Sequence, residues 1–442
     1  MAKLRYKTIA DAIATRIGTG DLKPGERLPT VRTLMKLNDI ALATAARVYK
    51  DLAAIGLAVG EGGRGTFVRD LSLARGAGLV QRSAQAGVLD LTTSYPTLSG
   101  QDSMLREGLR SLAGSGDLDA LLHSAPPGGR PHERQCIARH LRNRNIRVAG
   151  DDVLIVSGAQ QGLAVTAMAL LKPGELLVVD ALTYPGMLML ARAQRLEVEA
   201  LPLTSAGTDL DALARLCKRR KVRAVYSMPT MHNPLGFVMS EPDRVRLAEL
   251  AKRHDFLIIE DATYAFLVEP APKPVQTFAP ERSVYVSGLS KSIAPGLRVG
   301  FVVAPPACIP VLEQAIRIST WQAASVSVAL ACHWIEKGVA DALEERKRSD
   351  ARVRQRLARR VLRDYALVAH PSSYFLWLNL EQELRADRVA AELARQGVLV
   401  TTAELFAATR HSPQALRLAL GSLPLEALGQ ALRSIKDVLA SA

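Results

Sequence analysis

Between about residues 150 and 304, short runs of β-branched and apolar residues alternate with helical stretches: DVLIVSG, ELLVVD, LEVEALPL, RAVYSMPT, FLIIED, SVYVSG and RVGFVVA. The runs are continuously apolar, the pattern of strands covered on both faces. A mostly parallel sheet flanked by helices follows, an α/β architecture. Ligands in such sheets gather at the carboxyl ends of the strands. The chemically loaded residues fall at those ends: Ser157 and Gly158, Tyr184, Asn233, Asp261, and Ser287 through Lys291.

Taken singly, these residues have ordinary explanations. Asn233 in MHNPLG suits a turn before proline. Asp261 after FLIIE suits a helix cap, Tyr184 in TYPG a loop, and Arg298 an ion pair. Their order and spacing carry more. In VSGLSKSIAPGLRVGF, Lys291 and Arg298 are the two cations in a segment of small and apolar residues.

The first 70 residues differ from this pattern. They hold 12 Lys and Arg against 7 Asp and Glu, so +5 of the chain's +14 lies there, about three times the density elsewhere. That excess favours an anionic partner, with nucleic acid the leading candidate. Ile9, Ile13 and Ile17 mark an amphipathic helix ending at Gly18 and Gly20. Pro24-Gly25 reads as a turn, and Thr30 is placed to cap a second helix with Val31, Leu34 and Met35. A third helix runs through IALATAARVYKDLAAIG to Gly56, and LAVGEGGRGTFV reads as a two-stranded hairpin. Three helices and a hairpin outline a winged helix-turn-helix over residues 1–70. Residues 71–88, rich in Ala, Gly, Ser and Gln, read as a linker. Residues 89–442 form the second domain, with a large part to about 325 and a smaller C-terminal α+β part over about 326–442.

Hydrophobic residues make up 48% and charged residues 23%, an ordinary globular composition without a membrane-spanning run. Cys136, Cys217, Cys308 and Cys332 lie far apart without metal-ligand spacing, so no metal site and a reducing, cytoplasmic location are expected.

The stretch Y…IADAI…LKPGERLPTVRTL…TAARVYKDLAAIGL…GRGTFV resembles the N-terminal domain of the GntR family of bacterial transcription factors. That resemblance implies promoter DNA as partner, contacted by Arg32, Thr44, Arg47, Arg64 and Gly65. Lys50 and Arg64 are suited to neutralise phosphates, and arginine to bond guanine. Ala41-Leu42 departs from the family, which places a polar residue and an arginine there. Fewer side chains then read base edges, and Arg32, the wing and DNA shape carry more of the specificity.

In the second domain, SGAQQ, TYPG, HNPLG, D-x-x-Y and S-K-x6-R-x-G, in that order, resemble the fold-type I enzymes that use pyridoxal 5'-phosphate, the aspartate aminotransferase group. The resemblance implies Lys291 as the catalytic lysine of an internal aldimine and Asp261 as partner of the ring nitrogen. It gives Asn233 and Tyr264 to the phenolic oxygen and Tyr184 to the ring face. The phosphate falls to the backbone of Gly158, Ala159 and Gln160 with Ser290 and Arg298, and the effector or substrate carboxylate to Arg417. Two positions depart from the family: Gly288 stands where a Ser or Thr phosphate ligand is common, and only His123 and Ser124 lie near the place of an upstream tyrosine. Both thin the expected phosphate cage.

The two halves together resemble the MocR-type regulators. That implies a homodimeric transcription factor that carries pyridoxal phosphate and senses it, or an amine or amino acid effector bound to it. The alternative is a genuine aminotransferase with a vestigial or autoregulatory DNA-binding module.

Overall fold

A computed structural model describes residues 2–23, 26–54, 57–61, 65–68, 88–114, 118–204, 207–381, 384–409 and 412–441. The Pro24-Gly25 turn, the end of the third helix at Gly56, Arg64 and most of the expected linker lie outside them.

The N-terminal module contains α1 (Ala2–Thr19), α2 (Val31–Asn38), α3 (Leu42–Ala54), β1 (Ala58–Glu61) and β2 (Gly65–Val68). Thr30 caps α2, its hydroxyl accepting from the Thr33 N–H at 3.1 Å, and Asp39 ends that helix in the left-handed region. The isoleucine repeat of α1 turns inward: Ile13 is buried with Ala10 and Ala14, and meets Leu34, Val48 and Leu52 in one small core. Tyr49 locks α3 to the entry of α2 by donating its hydroxyl to Pro29 O. β1 and β2 pair antiparallel, Ala58 opposite Val68 and Glu61 opposite Gly65. The chain before α2 adds a third edge, Leu28 N–H donating to Thr66 O and Val68 N–H to Glu26 O, both at 2.8 Å.

The second domain is built on β3 (Val153–Val156), β4 (Leu176–Asp180), β5 (Glu197–Leu201), β6 (Ala224–Ser227), β7 (Leu257–Asp261), β8 (Ser283–Gly288) and β9 (Gly300–Val303). Their order in the sheet is β3-β9-β8-β7-β6-β4-β5. β9 is antiparallel to both of its neighbours, and the pairs from β8 to β5 are parallel. β3, β4, β6, β8 and β9 are buried along their whole length, which is why they read as unbroken apolar runs. Helix α4 (Ala159–Leu170) follows β3 on one face.

A four-stranded sheet forms the C-terminal part, in the order β10 (Leu367–Val368), β11 (Phe375–Asn379), β13 (Ala415–Ala419), β12 (Thr401–Thr402). The boundary between the parts differs from a simple cut near residue 325. Ala323, Val328, Trp334 and Leu343 pack into the core beside β3 and β9. Leu89 and Asp90 instead pair with Val398 and Leu399, and Leu91 joins the C-terminal core, so the domain's first described strand belongs with its last third. Helix α6 (Val339–Val361) passes from one core to the other. Helix α5 (Leu289–Ser292) directly follows β8.

Leu52 is fully buried at the centre of the N-terminal module. Leu52→Ala is expected to remove about 2–5 kcal/mol, a large share of a small domain's stability. Amide hydrogen exchange will show it: protection falls across α1 to α3, while β3 and α4 keep theirs.

Candidate functional sites

The carboxyl ends of the parallel strands open onto a cavity of about 240 Å³. It collects Ala159, Gln160, Tyr184, Asn233, Asp261, Tyr264, Ser290, Lys291, Arg298 and Arg417, residues spread over 258 positions of sequence. The topology explains this gathering, because consecutive parallel strands end on the same edge.

Asp261, the last residue of β7, is buried, and its two carboxylate oxygens are separately bonded. Oδ2 accepts from the Tyr226 hydroxyl at 2.8 Å; Oδ1 accepts from the Thr263 N–H at 3.0 Å and the Thr263 hydroxyl at 2.6 Å. Burial raises the Asp261 pKa above the ordinary carboxylate value, and the Thr263 and Tyr226 bonds oppose that rise. A buried carboxylate so placed gains from a cationic neighbour. Asn233 is buried in the same cavity, with an amide oxygen that has no hydrogen-bond partner among the described residues. Buried polar atoms are rarely left unpaired, so this oxygen is suited to a ligand donor.

Lys291 sits on α5, one turn after β8. Its Nζ donates to Ser94 O at 2.6 Å and lies 4.6 Å from the centre of the Tyr95 ring. Burial lowers its pKa to about 7, helped by the charges of Arg417, Lys347 and Arg298. An amine so depressed is substantially neutral, hence nucleophilic, near neutral pH. Tyr264 lies 5.9 Å from it, its own pKa pushed up to about 12 by burial. The Tyr184 hydroxyl donates to Gln160 Oε1 at 2.9 Å.

The amino end of α4 faces Arg298. Gly158 precedes the helix with φ +89°, a left-handed conformation that favours glycine. A Cβ there would lie 2.7 Å from Arg298 Nη2. The Gly158 N–H is itself donated to Val156 O at 2.8 Å, so Gly158 contributes shape, and the helix N–H groups that remain for an anion are those of Ala159 and Gln160. Arg298 donates from Nη1 to the Ser290 hydroxyl at 3.3 Å and from Nη2 to Ser157 O at 3.1 Å. Gly288 has its own reason. A Cβ there would stand 3.1 Å from Val299 O and 3.2 Å from Ala159 N, so the backbone occupies space that a hydroxyl side chain would need. His123 and Ser124 do not line the cavity; the exposed His123 pairs with Asp119 at 3.3 Å.

Arg417 of β13 closes the far wall. Nη1 donates to Thr92 O at 2.9 Å, the guanidinium lies over the Phe375 and Phe406 rings at 5.1 and 5.8 Å, and buried Nε has no hydrogen-bond partner among the described residues. Thr92 to Tyr95, which supply this wall, carry no motif or periodicity that marks them, and neither does Tyr226. Thr263 had a signal: an aspartate two residues before a threonine is an Asx-turn pattern.

On the N-terminal module, Arg32, Lys50 and Leu42 are exposed, Leu42 by 52%. Arg47 is exposed too, but its guanidinium stacks over the Tyr6 ring of α1 at 4.5 Å, an internal cation–π contact. Thr44 is half-buried at the start of α3, and Gly65 begins β2 with φ +122°. Among the described residues there is no cluster of metal-ligating side chains and no helix long and apolar enough to cross a membrane.

Comparison with known proteins agrees with this geometry. The profile described as "Aminotransferase class I and II" covers residues 86–435, and that described as "Bacterial regulatory proteins, gntR family" covers residues 5–68. The HTH-type transcriptional regulator YdeF of Bacillus subtilis is 26% identical, covering 98% of this chain and 94% of its own length. YjiR of Escherichia coli, another HTH-type regulator, is 25% identical over 98% of both chains. The 2-aminoadipate transaminase of Thermus thermophilus is 26% identical, covering 83% of this chain and 96% of its own. Among solved structures, the multiple substrate aminotransferase of Thermococcus profundus superposes with a TM-score of 0.74 at 24% identity, over 80% of this chain and 92% of its own.

The cofactor that the aminotransferase domain implies is pyridoxal 5'-phosphate. The cavity fits it: the orphaned Asn233 oxygen, the buried Asp261, the depressed Lys291 amine and the Arg298–α4 cradle supply the donors and acceptors such a molecule needs.

The cradle depends on a missing side chain. Gly158→Ala adds a strained φ and a clash with Arg298, so we expect a loss of about 1 kcal/mol or more, read by urea unfolding. It should also weaken binding of inorganic phosphate to the full-length protein, read by calorimetry.

Proposed function

Because the chain belongs to the aminotransferase class I and II family and joins that domain to a gntR-family module, we propose that it is a MocR-type transcriptional regulator whose second domain senses pyridoxal phosphate together with an amine or amino acid. The observation that carries the reading is the union, in one chain, of an exposed basic helix-turn-helix with a cavity complete for that cofactor.

In the cavity, Lys291 is the covalent anchor. Asp261 holds a proton at the ring nitrogen, Asn233 and Tyr264 hold the phenolic oxygen, and Tyr184 covers the ring face. The N–H groups of Ala159 and Gln160, with Ser290 and Arg298, hold the phosphate, and Gly158 keeps the space open. Arg417 binds the effector's carboxylate: its unpartnered Nε and its aromatic flanks leave a buried cation with donor capacity to spare. When bound, the cofactor would supply an aldehyde able to take up an amine and an electron-withdrawing ring to stabilise charge beside it. Effector binding can shift DNA affinity only by its differential affinity for two arrangements of the protein.

On DNA, Arg32 reads a base edge in the major groove, Thr44 and Gly65 approach the backbone, and Lys50 meets phosphate. The exposed Leu42 suits contact with a thymine methyl. Arg64, named from the sequence GRGTFV alone, is a further proposed DNA contact. Arg47, exposed on α3 with its guanidinium over the Tyr6 ring, contacts DNA from the same helix. Two modules in a homodimer would reach two half-sites, and the protein would act in the cytoplasm.

One observation favours a second reading, a working aminotransferase: the Lys291 amine is already depressed to about 7, as a nucleophile requires. A transamination assay with amino donors separates the two.

Two variants test the proposal. Lys291→Ala is expected to abolish the visible absorbance of lysine-bound pyridoxal phosphate; a variant that keeps it contradicts the anchor. Arg32→Ala should weaken binding to the upstream promoter fragment by about 1–3 kcal/mol, roughly 5- to 150-fold, in fluorescence anisotropy. Unchanged affinity contradicts the DNA-reading surface.

A further inference from the structure

Behind the Lys291 turn lies a second ammonium group. Lys347, on α6, is 0% exposed. A buried lysine is costly unless its donors are used, and here they are spent on one place: Nζ donates to Lys291 O at 3.0 Å and to Ile293 O at 2.7 Å. These carbonyls belong to the carboxyl end of α5, where a helix has no donors of its own. A positive charge is favourable at that end. Gln101 adds a neutral donor to Ile293 O at 2.9 Å.

Lys347 is itself held firmly. The Tyr374 hydroxyl lies 2.9 Å from both Lys347 O and Asp350 Oδ2. Buried Glu344, one turn earlier on α6, is paired with Arg144 and lies 3.7 Å from His140. Glu344 and Asp350 favour the charged form of Lys347, while burial opposes it and brings its pKa to about 7.

We propose that Lys347 is a positioning residue for Lys291: its ammonium grips the carbonyl end of the turn that carries Lys291 and stands as a second positive charge behind the reactive amine. The inference rests on Lys291 being the reactive amine of the cavity. The groups around that amine are Arg417, Lys347 and Arg298, all cationic, with Tyr95, Tyr264 and Asp261 on the cavity side. Three cations against one carboxylate, with burial, favour the neutral amine. Of the three, Lys347 acts from outside the cavity, so it stays in place whatever the cavity binds.

The test is competitive labelling of the full-length apoprotein with trace acetic anhydride, mapped by mass spectrometry, which gives the pH midpoint of Lys291 itself. The wild-type midpoint is expected near 7. Lys347→Gln keeps a donor for the two carbonyls but loses the charge, and should move the midpoint up by about 0.5–1 pH unit. Lys347→Arg keeps the charge through the whole titration and should hold the midpoint at or below the wild-type value. An unchanged midpoint in Lys347→Gln overturns the proposal, and so does an equal shift in both variants, which marks loose packing rather than charge. The wild-type curve is a check that needs no variant. Two interacting amines stretch the titration beyond the roughly two pH units of an isolated group, and a simple one-proton curve counts against the coupling. A wild-type midpoint at the ordinary lysine value instead overturns the assignment of Lys291 as the reactive amine, separately from the role of Lys347.

Discussion

The cavity depends on how closely the amino end of α4 approaches the strands beneath it. A Cβ on Gly300 would sit 2.5 Å from the Gly158 carbonyl carbon and 2.7 Å from Ala159 N, and one on Gly158 would sit 2.7 Å from Arg298. With glycine at 158, 288 and 300, helix and sheet close until the free N–H groups of α4, the Arg298 guanidinium and the Lys291 turn share one edge. This accounts for the glycine at 288. The position is backbone against backbone, and the polar work there passes to Ser290, which bonds Arg298. Arg298 itself holds φ +52°, a conformation that costs a non-glycine residue energy and is kept where the surroundings demand it.

α6 ties this edge to the rest of the domain. Its buried face is unusually polar: Glu344 pairs with Arg144, Lys347 grips the Lys291 turn, Arg354 donates to Leu420 O and Leu423 O, and Gln355 donates to Ser373 O and Phe375 O. The first two act on the edge of the large sheet. The last two act at the ends of β11 and β13, and β13 carries Arg417. A single helix thus braces both the Lys291 side and the Arg417 side of the cavity. A ligand that draws on Lys291 and Arg417 together works against one element, the physical requirement for coupling its binding to a change elsewhere.

Much of this was legible in the sequence, because strands buried on both faces announce themselves and parallel topology dictates which of their ends carry chemistry. Asn233, Asp261 and Lys291 stand at such strand ends, Arg298 is marked by its spacing in S-K-x6-R-x-G, and the isoleucine repeat, the Thr30 cap and the Gly-rich turn mark the three helices and hairpin of the N-terminal module. Lys347 carries no such mark. In EERKRSDAR it reads as one charge among many on a solvated helix, and only packing shows that its face is covered. Tyr226 was hidden for the opposite reason, an apparently ordinary apolar strand residue whose hydroxyl meets Asp261. The Arg47–Tyr6 stack was hidden as well, since its partners lie 41 residues apart and no local pattern links them.

The central claim is that occupancy of the cavity controls DNA binding. Its most direct measurement is fluorescence anisotropy of the full-length protein on the DNA upstream of its own gene, with the apoprotein, with pyridoxal phosphate, and with pyridoxal phosphate plus each of a panel of amino acids, beside a transamination assay on the same samples. At least one ligand state is expected to change DNA affinity by about 5-fold or more, the lower bound of ordinary allosteric coupling. Equal affinity in every state, accompanied by rapid transamination, would contradict it and make the chain an enzyme.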